Sequence, residues 1–536
     1  MRLILEFLKP HWRLCAVTMA LSLLDAGGAL LIPTLVSDLI NGATGGAIGF
    51  DGLLRTGVWM VVVATVSGIA AIAGGWVCAV LTARVGRDLR EAVYRKSLTL
   101  SVSDFRAFGV SSFTTRTTSD VSNIRFALLN FFQLVVPVPV AFAFALALAF
   151  GKDWVLGALL AAVLAVICAL SVPIVRQAAG IFRLLQKQLD RIATVLLENI
   201  TGVRVVRAFD KSAHEEARME ATFEDYRATG VQTVRLFAFM DGYLFSAINL
   251  FILAVLAVSG FRIEAGRFAP GDITAVIEYA WLALVYLQLA LTVALTLPRA
   301  FECLDRIRAV FDHPPQIRDA PDCGPIPRQP EVLALHGVSF RYPDAEEPTL
   351  VGLDFVCRRG ETTAIIGGTG SGKSTIASLF LRFNEATEGT VRFNGVDVRE
   401  IPLASLRADI AYVQQRAWLF AGTVAENLRY GAPGAAPCVL WHALEVAQAA
   451  DFVRALPLGL SAYVAPDGAN FSGGQRQRLS IARAVASKPQ AYVFDDSFSA
   501  LDFKTDAALR RALAAETAQA AVIVVAQRVS TIRNAD

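Results

Sequence analysis

The sequence predicts two domains of different class: an all-α membrane domain with six helices, followed by an α/β domain. Six apolar stretches within residues 1–312 are each long enough for a membrane span, which takes about 20 apolar residues. After residue 330, short strand-like runs alternate with helical ones, the pattern of an α/β domain with a mostly parallel core sheet. A chain of 536 residues is also too long for a single hydrophobic core.

The composition agrees with a membrane protein. Hydrophobic residues make up 54% of the chain and charged residues 18%, a balance that is unusual for a soluble protein. The net charge of +3 is close to neutrality, so we expect no nucleic-acid partner. The seven cysteines are scattered without a CxxC pair or a Cys/His cluster, which supports neither a zinc site nor a disulfide framework.

The predicted spans are joined by loops of alternating length. The two long loops, 82–126 and 176–235, are rich in arginine, whereas the short loop after the third span has Lys152 as its basic residue. By the positive-inside rule, the long loops, both chain ends and the second domain are cytoplasmic. Together with the Ala- and Arg-rich composition, this predicts a multi-pass protein of the bacterial cytoplasmic (inner) membrane. The spans are Leu14–Leu35, Val58–Leu81, Ala127–Phe150, Val155–Val175, Leu236–Gly260 and Ile273–Leu297.

The long loops are predicted to be helical. Apolar residues in 181–200 recur at helical spacing, so the spans are expected to continue as helices outside the membrane. Gly202 and Gly230 are expected to interrupt these helices.

Five polar residues lie inside the predicted spans. Such residues are costly in a bilayer unless they are paired or face water. They therefore either line a substrate path or hold helices together, and the sequence leaves both readings open. They are Asp25, Asp241, Asn249, Glu278 and Gln288.

The second domain begins after a proline-rich segment. Residues 313–330 are predicted to be a linker, which leaves 1–312 to the membrane domain and 331–536 to the α/β domain. Five strands are expected there: Val332–Leu335, Thr363–Ile366, Ile410–Val413, Tyr492–Phe494 and Val522–Val525.

A phosphate-binding loop follows the second of these strands. Its glycines allow backbone N–H groups to wrap around phosphate oxygens at the start of a helix. Lys373 neutralises the β and γ phosphates, and the Ser374 hydroxyl can ligate Mg²⁺. Asp495, at the end of a later apolar strand, is a second candidate for Mg²⁺ contact. The predicted phosphate-binding residues are Gly367, Gly368, Thr369, Gly370, Ser371, Gly372, Lys373, Ser374 and Thr375.

A second motif identifies a family. The run Phe471-Ser472-Gly473-Gly474-Gln475 closely resembles the LSGGQ signature of ABC transporters, with Phe in place of Leu. Six spans followed by one ATPase domain resemble the exporter-type (type IV) half-transporter of that family over nearly the whole chain. The resemblance implies an ABC-type ATPase whose second domain is an α/β P-loop domain, with ATP and Mg²⁺ as cofactors.

The resemblance also implies roles for single residues. Tyr342 matches the aromatic residue that stacks on adenine. Gln415 matches the glutamine that contacts Mg²⁺ and the transmembrane helices, and Ser499–Asp502 match the D-loop. In ABC proteins two ATPase domains dimerise head to tail, so that Ser472, Gly473, Gly474 and Gln475 bind the ATP held by the partner chain's phosphate loop.

Two positions depart from the family pattern. Asp496 follows the metal-binding Asp where most members have Glu, and Gln527 replaces the switch histidine. Asp is one methylene shorter, and Gln cannot carry a titrating proton at neutral pH. Together, the departures at Asp496 and Gln527 resemble the degenerate half of heterodimeric exporters. The expected catalytic residues are Asp496, Gln527 and Gln415. The sequence also allows a homodimer that hydrolyses ATP slowly.

The expected function is ATP-driven transport. The resemblance favours export of a hydrophobic or amphipathic substrate (a drug, lipid or peptide), with a second half-transporter and membrane lipid as partners. The alternatives are an importer of exporter-like fold for a metal-chelating small molecule, and a membrane-anchored regulatory ATPase. The family pattern continues beyond the position of Asp536, so truncation or disorder of the C-terminal end is expected.

Overall fold

The structure is a computed structural model that describes residues 2–44, 49–264, 269–320, 326–368, 370–527, 532 and 535–536. The chain forms two compact units. One comprises Met1–Leu98 and Val110–His313, and the other comprises Thr99–Gly109 and Pro314–Asp536.

The first unit is helical. Within the described residues, six helical segments are long and apolar enough to cross a membrane, and each contains one of the predicted spans. The predicted six-helix membrane domain is therefore confirmed. Two short π-helical segments, Arg116–Asp120 and Phe131–Val135, lie within the third of these segments. The α-helices are α1 (Arg2–Leu8), α2 (Trp12–Thr44), α3 (Phe50–Thr99), α4 (Val102–Phe108), α5 (Val110–Thr115), α6 (Val121–Asn130), α7 (Pro137–Lys152), α8 (Trp154–Thr201), α9 (Val203–Ala208), α10 (Ser212–Glu264) and α11 (Pro270–Asp312).

Three of these helices are much longer than a membrane is thick. Helices α3, α8 and α10 contain 50, 48 and 53 residues, and at about 1.5 Å per residue each is more than twice the ~30 Å of a hydrocarbon core. The prediction that the spans continue as helices is confirmed. Gly202 ends α8, where its N–H donates to the Glu198 carbonyl at 2.8 Å. Gly230 lies inside α10, so the interruption predicted there is wrong.

A polar cluster joins α2, α7 and the first turn of α11. The Lys152 ammonium lies 3.0 Å from the Asp272 carboxylate and 2.9 Å from that of Asp38. The Asp272 carboxylate also accepts hydrogen bonds from the Ser37 hydroxyl at 2.7 Å and the Asn41 amide at 3.1 Å. The Asp272 side chain is 13% exposed and that of Asp38 is 55% exposed, so the bond to Asp272 is the better shielded one.

Within the described residues, the second unit contains three sheets. The central one, in the order β3-β10-β9-β6, is parallel throughout. The others are an antiparallel sheet in the order β2-β1-β4-β5 and the pair β7-β8. Its strands are β1 (Glu331–Phe340), β2 (Leu350–Arg358), β3 (Thr362–Ile366), β4 (Glu388–Phe393), β5 (Val396–Asp397), β6 (Ile410–Val413), β7 (Gly422–Thr423), β8 (Tyr463–Val464), β9 (Ala491–Asp495) and β10 (Ala521–Ala526). Its helices after α11 are α12 (Lys373–Phe380), α13 (Leu403–Ala408), α14 (Val424–Arg429), α15 (Pro437–Val446), α16 (Ala450–Arg454), α17 (Gly473–Ala486) and α18 (Phe503–Glu516).

The central sheet is covered on both faces. Successive side chains of a strand point to opposite faces, and in β9 Phe494 belongs to one hydrophobic cluster while Val493 belongs to the other. The same alternation places Val522 and Ile523 of β10 on opposite faces. A parallel sheet buried in this way is the expected arrangement of an α/β domain, which confirms the predicted fold class.

The structure differs from the sequence expectation in two respects. The predicted strand Val332–Leu335 is part of β1 in the antiparallel sheet, which the sequence reading did not anticipate. The second unit also includes α4, a helix from the segment assigned to the membrane domain. Ser101 caps α4 in a reciprocal capping box with Asp104, and the Ser103 hydroxyl donates to the Gln316 amide oxygen at 2.7 Å.

The polar cluster generates a stability prediction. Replacing Asp272 by Asn keeps the shape of the side chain and removes the charge that offsets Lys152. Because Asp272 is well shielded, we expect Asp272→Asn to lower the stability of the membrane unit by about 2–3 kcal/mol. The apparent melting temperature of the purified protein in detergent measures this loss.

The matched control is Asp38→Asn, which removes the exposed partner of the same lysine. A surface ion pair is worth about 1 kcal/mol or less, so this variant should melt close to the unmodified protein. Equal losses for the two variants would contradict the assignment of the stabilising role to Asp272.

Candidate nucleotide-binding site

The predicted site residues follow the strands of the parallel sheet. Because the carboxyl ends of parallel strands share one edge, the loops after them converge there. The register pairs Val525 of β10 with Ile365 of β3 on one side and with Asp495 of β9 on the other. Strand β6 completes the row, with Val413 opposite Phe494. The phosphate-binding loop therefore starts at this edge of the sheet. Gln527, Asp496 and Gln415 lie at the same edge, each just after its strand.

The phosphate-binding loop runs from β3 into α12. Gly370 and Gly372 adopt φ angles of +85° and +84°, which favour glycine. A Cβ on Gly372 would also lie 2.7 Å from the Leu350 side chain, so this position excludes larger residues. The Lys373 ammonium donates to the Gly367 carbonyl at 2.8 Å and to that of Gly368. The loop is thus wrapped around a buried ammonium at the N-terminus of a helix, an arrangement that suits phosphate.

Ser374 and Asp495 are brought together. The Ser374 hydroxyl donates to Oδ1 of Asp495 at 2.9 Å, and the Tyr412 hydroxyl donates to Oδ2 at 3.1 Å. Asp495 is only 3% exposed. A hydroxyl and a carboxylate at the edge of a phosphate loop form a set of hard oxygen donors, which fits Mg²⁺.

Asp496 lies between two glutamine side chains. Its Oδ2 accepts hydrogen bonds from the Gln415 amide at 3.1 Å and from the Gln527 amide at 3.3 Å. The strand order explains this arrangement, because β10 and β6 flank β9, and each glutamine follows one of them. Asp496 has a φ of +47°, a conformation in which Asp is enriched among non-glycine residues. Its backbone N–H donates to the Val525 carbonyl at 3.0 Å, which fixes the turn.

Tyr342, predicted to stack on adenine, lies beside the same loop. Its hydroxyl is 3.1 Å from the Thr375 hydroxyl at the start of α12. Its ring packs edge-on against Phe340, with ring centroids 4.8 Å apart. The side chain is half-buried, so part of it is accessible to solvent.

The signature residues lie at the start of another helix, α17. Ser472 caps α17 in a reciprocal box with Gln475, and both Ser472 and Gly473 are exposed. Phe471, the departure from the usual Leu, is buried among the apolar residues of this helical region. Among the described residues, no hydrogen bond joins Ser472 or Gln475 to the phosphate-binding loop of the same chain. Ser472 and Gly473 are thus the solvent-exposed residues of the signature, while Gly474 and Gln475 are half-buried.

The structure thus brings together most of the predicted site. Ser374 contacts Asp495, and Gln415 and Gln527 both contact Asp496, the residue after Asp495. Lys373 contacts its own loop, which also contains Gly367, Gly368, Gly370, Ser371, Gly372 and Thr375. Thr369 lies outside the described residues. Sequence reasoning missed Tyr412, whose position on β6, three residues before Gln415, was the available signal.

Comparisons with known proteins agree with this geometry. The family model for the ABC transporter transmembrane region matches residues 15–285, and the model for the ABC transporter ATPase domain, described as "ABC transporter", matches residues 350–499. An uncharacterized ABC transporter ATP-binding protein of Mycobacterium tuberculosis is 35% identical over all of this chain and 92% of its own length.

Two further similarities extend the comparison. An ATP-dependent lipid A-core flippase of Chromobacterium violaceum is 29% identical over all of this chain and 91% of its own length. The structure of a bacterial Atm1-family ABC exporter with ATP bound has a TM-score of 0.81 and 23% identity, and the match covers 98% of this chain and 92% of that one. At 23% identity, the similarity to the Atm1-family exporter shows the fold alone.

The matches span both units, and the similarity to the Mycobacterium tuberculosis protein covers all of this chain and 92% of that protein. The protein is a multi-pass membrane protein with an ATPase domain coupled to transport, and the half-transporter fold requires a second copy or a partner to complete the assembly. The chain belongs to the ABC transporter family.

Proposed function

We propose that this chain is the degenerate-site subunit of a heterodimeric bacterial ABC exporter. The observation that supports this proposal most directly is the hydrogen bonding of Asp496 to Gln415 and Gln527. The site holds nucleotide, and the partner's site carries out most of the hydrolysis.

The nucleotide-binding part of the proposed site is complete. Tyr342 stacks on adenine, Lys373 and the loop amides hold the phosphates, and Ser374, Asp495 and Gln415 hold Mg²⁺. When bound, Mg²⁺ neutralises charge on the β and γ phosphates. The positions of Lys373 and Asp495 at one sheet edge support this assignment, because both are buried and held by specific hydrogen bonds.

The hydrolytic part of the proposed site departs more from the family pattern than the nucleotide-binding part does. A residue that polarises the attacking water must place a carboxylate oxygen within hydrogen-bond distance of that water. The Asp496 side chain is one methylene shorter than Glu, and the same oxygen accepts from two amides. Gln527 contributes only amide groups, which neither gain nor lose a proton at neutral pH. A displacement on the order of 1 Å costs roughly 10²-fold in a position-sensitive step.

The exposed signature supports a partner. Ser472 and Gly473 lie at the solvent-facing start of α17, and helix N-termini bind anions. In the proposed heterodimer these residues complete the competent ATP site of the second half-transporter. A homodimer that hydrolyses slowly is the alternative that the experiments below distinguish.

The membrane unit supports the proposed direction and substrate class. The exporter fold favours export over import, and the sparse charge of the spans favours a hydrophobic or amphipathic substrate such as a drug, lipid or peptide. Of the intramembrane polar residues, Asp25 accepts from Ser67 at 2.9 Å and Asp241 from Gln288 at 3.2 Å. These pairs hold helices together. Glu278 is exposed on α11 and is the better candidate for substrate contact.

The proposed location is the bacterial cytoplasmic membrane, with the ATPase domain and both termini in the cytoplasm.

Nucleotide binding is expected to depend on Lys373. Lys373→Gln removes the cation that opposes the phosphate charge, and we expect binding of a fluorescent ATP analogue to weaken by about 10²-fold or more. Lys488→Gln, at an exposed lysine outside the site, is the control and should bind normally. Equal binding by both variants would exclude Gly367–Thr375 as the phosphate site.

The rate of ATP hydrolysis is expected to change little when the Asp496 carboxylate is removed, and to rise when the usual family residues are restored at Asp496 and Gln527. In the complex purified from its native membrane, Asp496→Asn should leave ATP turnover within about twofold, because the partner's site does the work. The double variant Asp496→Glu with Gln527→His should raise turnover at this site by up to about 10²-fold.

Mass spectrometry of the same complex identifies what accompanies the chain. A second half-transporter with Glu after its metal-binding Asp and a switch His is the expected result. Brisk ATPase activity of the self-paired chain, lost in Asp496→Asn, would show that this site is competent and that the degenerate assignment is wrong.

A further inference from the structure

Tyr412 reaches the buried carboxylate at the centre of the site. Strand β6 lies beside β9 with Tyr412 opposite Val493, two residues before Asp495. From there the Tyr412 hydroxyl donates to Oδ2 of Asp495 at 3.1 Å. The other oxygen, Oδ1, accepts from the Ser374 hydroxyl at 2.9 Å. Each carboxylate oxygen thus has one hydroxyl donor, and the two donors come from different sides of the strand.

The tyrosine ring is fixed by its packing. Its ring meets Phe383 edge-on, with centroids 6.1 Å apart, and the Arg407 guanidinium lies 5.2 Å from the centroid of the Phe383 ring. A ring held in this way gives its hydroxyl a defined direction. The hydrogen bond from Tyr412 to Asp495 is therefore maintained by the packing of the tyrosine ring and the pairing of β6 with β9.

We infer that Tyr412 is a positioning residue that orients Asp495 for Mg²⁺. The inference rests on the proposed assignment of Asp495 and Ser374 to the metal. In that assignment the Ser374 hydroxyl would ligate the metal, and Tyr412 would be the hydroxyl that holds the carboxylate. Groups that hydrogen-bond a metal-ligating carboxylate fix its orientation, and their loss commonly weakens metal binding by about 10–100-fold.

Tyr412 also connects this carboxylate to the surface. With Gln414, Trp418 and Tyr430 it lines an open cavity of about 600 Å³. Gln415, which contacts Asp496, follows Tyr412 by three residues on the same segment. A shift of this segment would therefore change the hydrogen bonds of both Asp495 and Asp496.

The test uses Tyr412→Phe in the full chain, purified with its partner in detergent. The substitution removes one hydroxyl and keeps the ring in its packing site. The measurement is binding of a fluorescent ATP analogue as a function of Mn²⁺ and Mg²⁺ concentration, with Mn²⁺ binding followed by electron paramagnetic resonance. We expect the half-saturating metal concentration to rise by about 10–100-fold, with metal-free nucleotide binding unchanged.

Two further variants make the outcome decisive. Tyr430→Phe removes a hydroxyl from an exposed tyrosine of the same cavity and should leave metal dependence unchanged. Asp495→Asn tests the metal assignment itself. If metal dependence changes in Asp495→Asn but not in Tyr412→Phe, the positioning role is overturned. If neither variant changes it, the metal assignment of the proposed function fails. A loss of metal-free binding in Tyr412→Phe would mean a general structural role and would also overturn the inference.

Discussion

The parallel register of β3, β10, β9 and β6 is the constraint on which the nucleotide site depends. Residues far apart in the chain meet because four strands end at one edge, and each strand contributes the side chains that follow it. Both faces of the sheet are buried in apolar clusters, so the strands cannot shift in register without exposing those side chains. The positions of Lys373, Asp495, Asp496 and Gln527 are therefore set by the hydrophobic core, and their hydrogen bonds refine positions that the core has already determined.

A second constraint acts on the membrane unit. In a bilayer every backbone polar group must be satisfied within the segment, which leaves helices as the means of crossing. Three of the spans, in α3, α8 and α10, extend without a break into helices of 50, 48 and 53 residues. Hydrogen-bonded polar residues are placed where they join neighbouring helices, as Lys152 and Asp272 do at one end of the unit. The lipid environment thus determines secondary structure, and polar contacts such as Lys152–Asp272 join particular helices beside the apolar clusters of the unit.

The sequence was sufficient to predict the structure where a local pattern of residues reflects a local physical requirement. Apolar length predicts a span, and the glycines of the phosphate loop predict a backbone that larger residues cannot adopt, as the φ of Gly372 confirms. It was insufficient where the outcome depends on tertiary contacts. Gly202 ends a helix and Gly230 does not, although both are glycines in helical surroundings. The pairing of β1 with β2 and β4, and the placement of α4 in the second unit, depend on contacts between segments that no local pattern records.

The two departures from the family pattern, Asp496 and Gln527, have a consequence for evolution. Both departures from the usual family residues are side-chain changes at the ends of strands whose backbone the sheet already fixes. Asp and Glu codons differ at the third base, as do Gln and His codons, so each departure lies one nucleotide from its counterpart. In the proposed heterodimer, single-nucleotide changes could therefore weaken or restore hydrolysis in one half while the nucleotide-binding loop stays as it is. The proposed division of labour between two subunits is then a small genetic step on one scaffold.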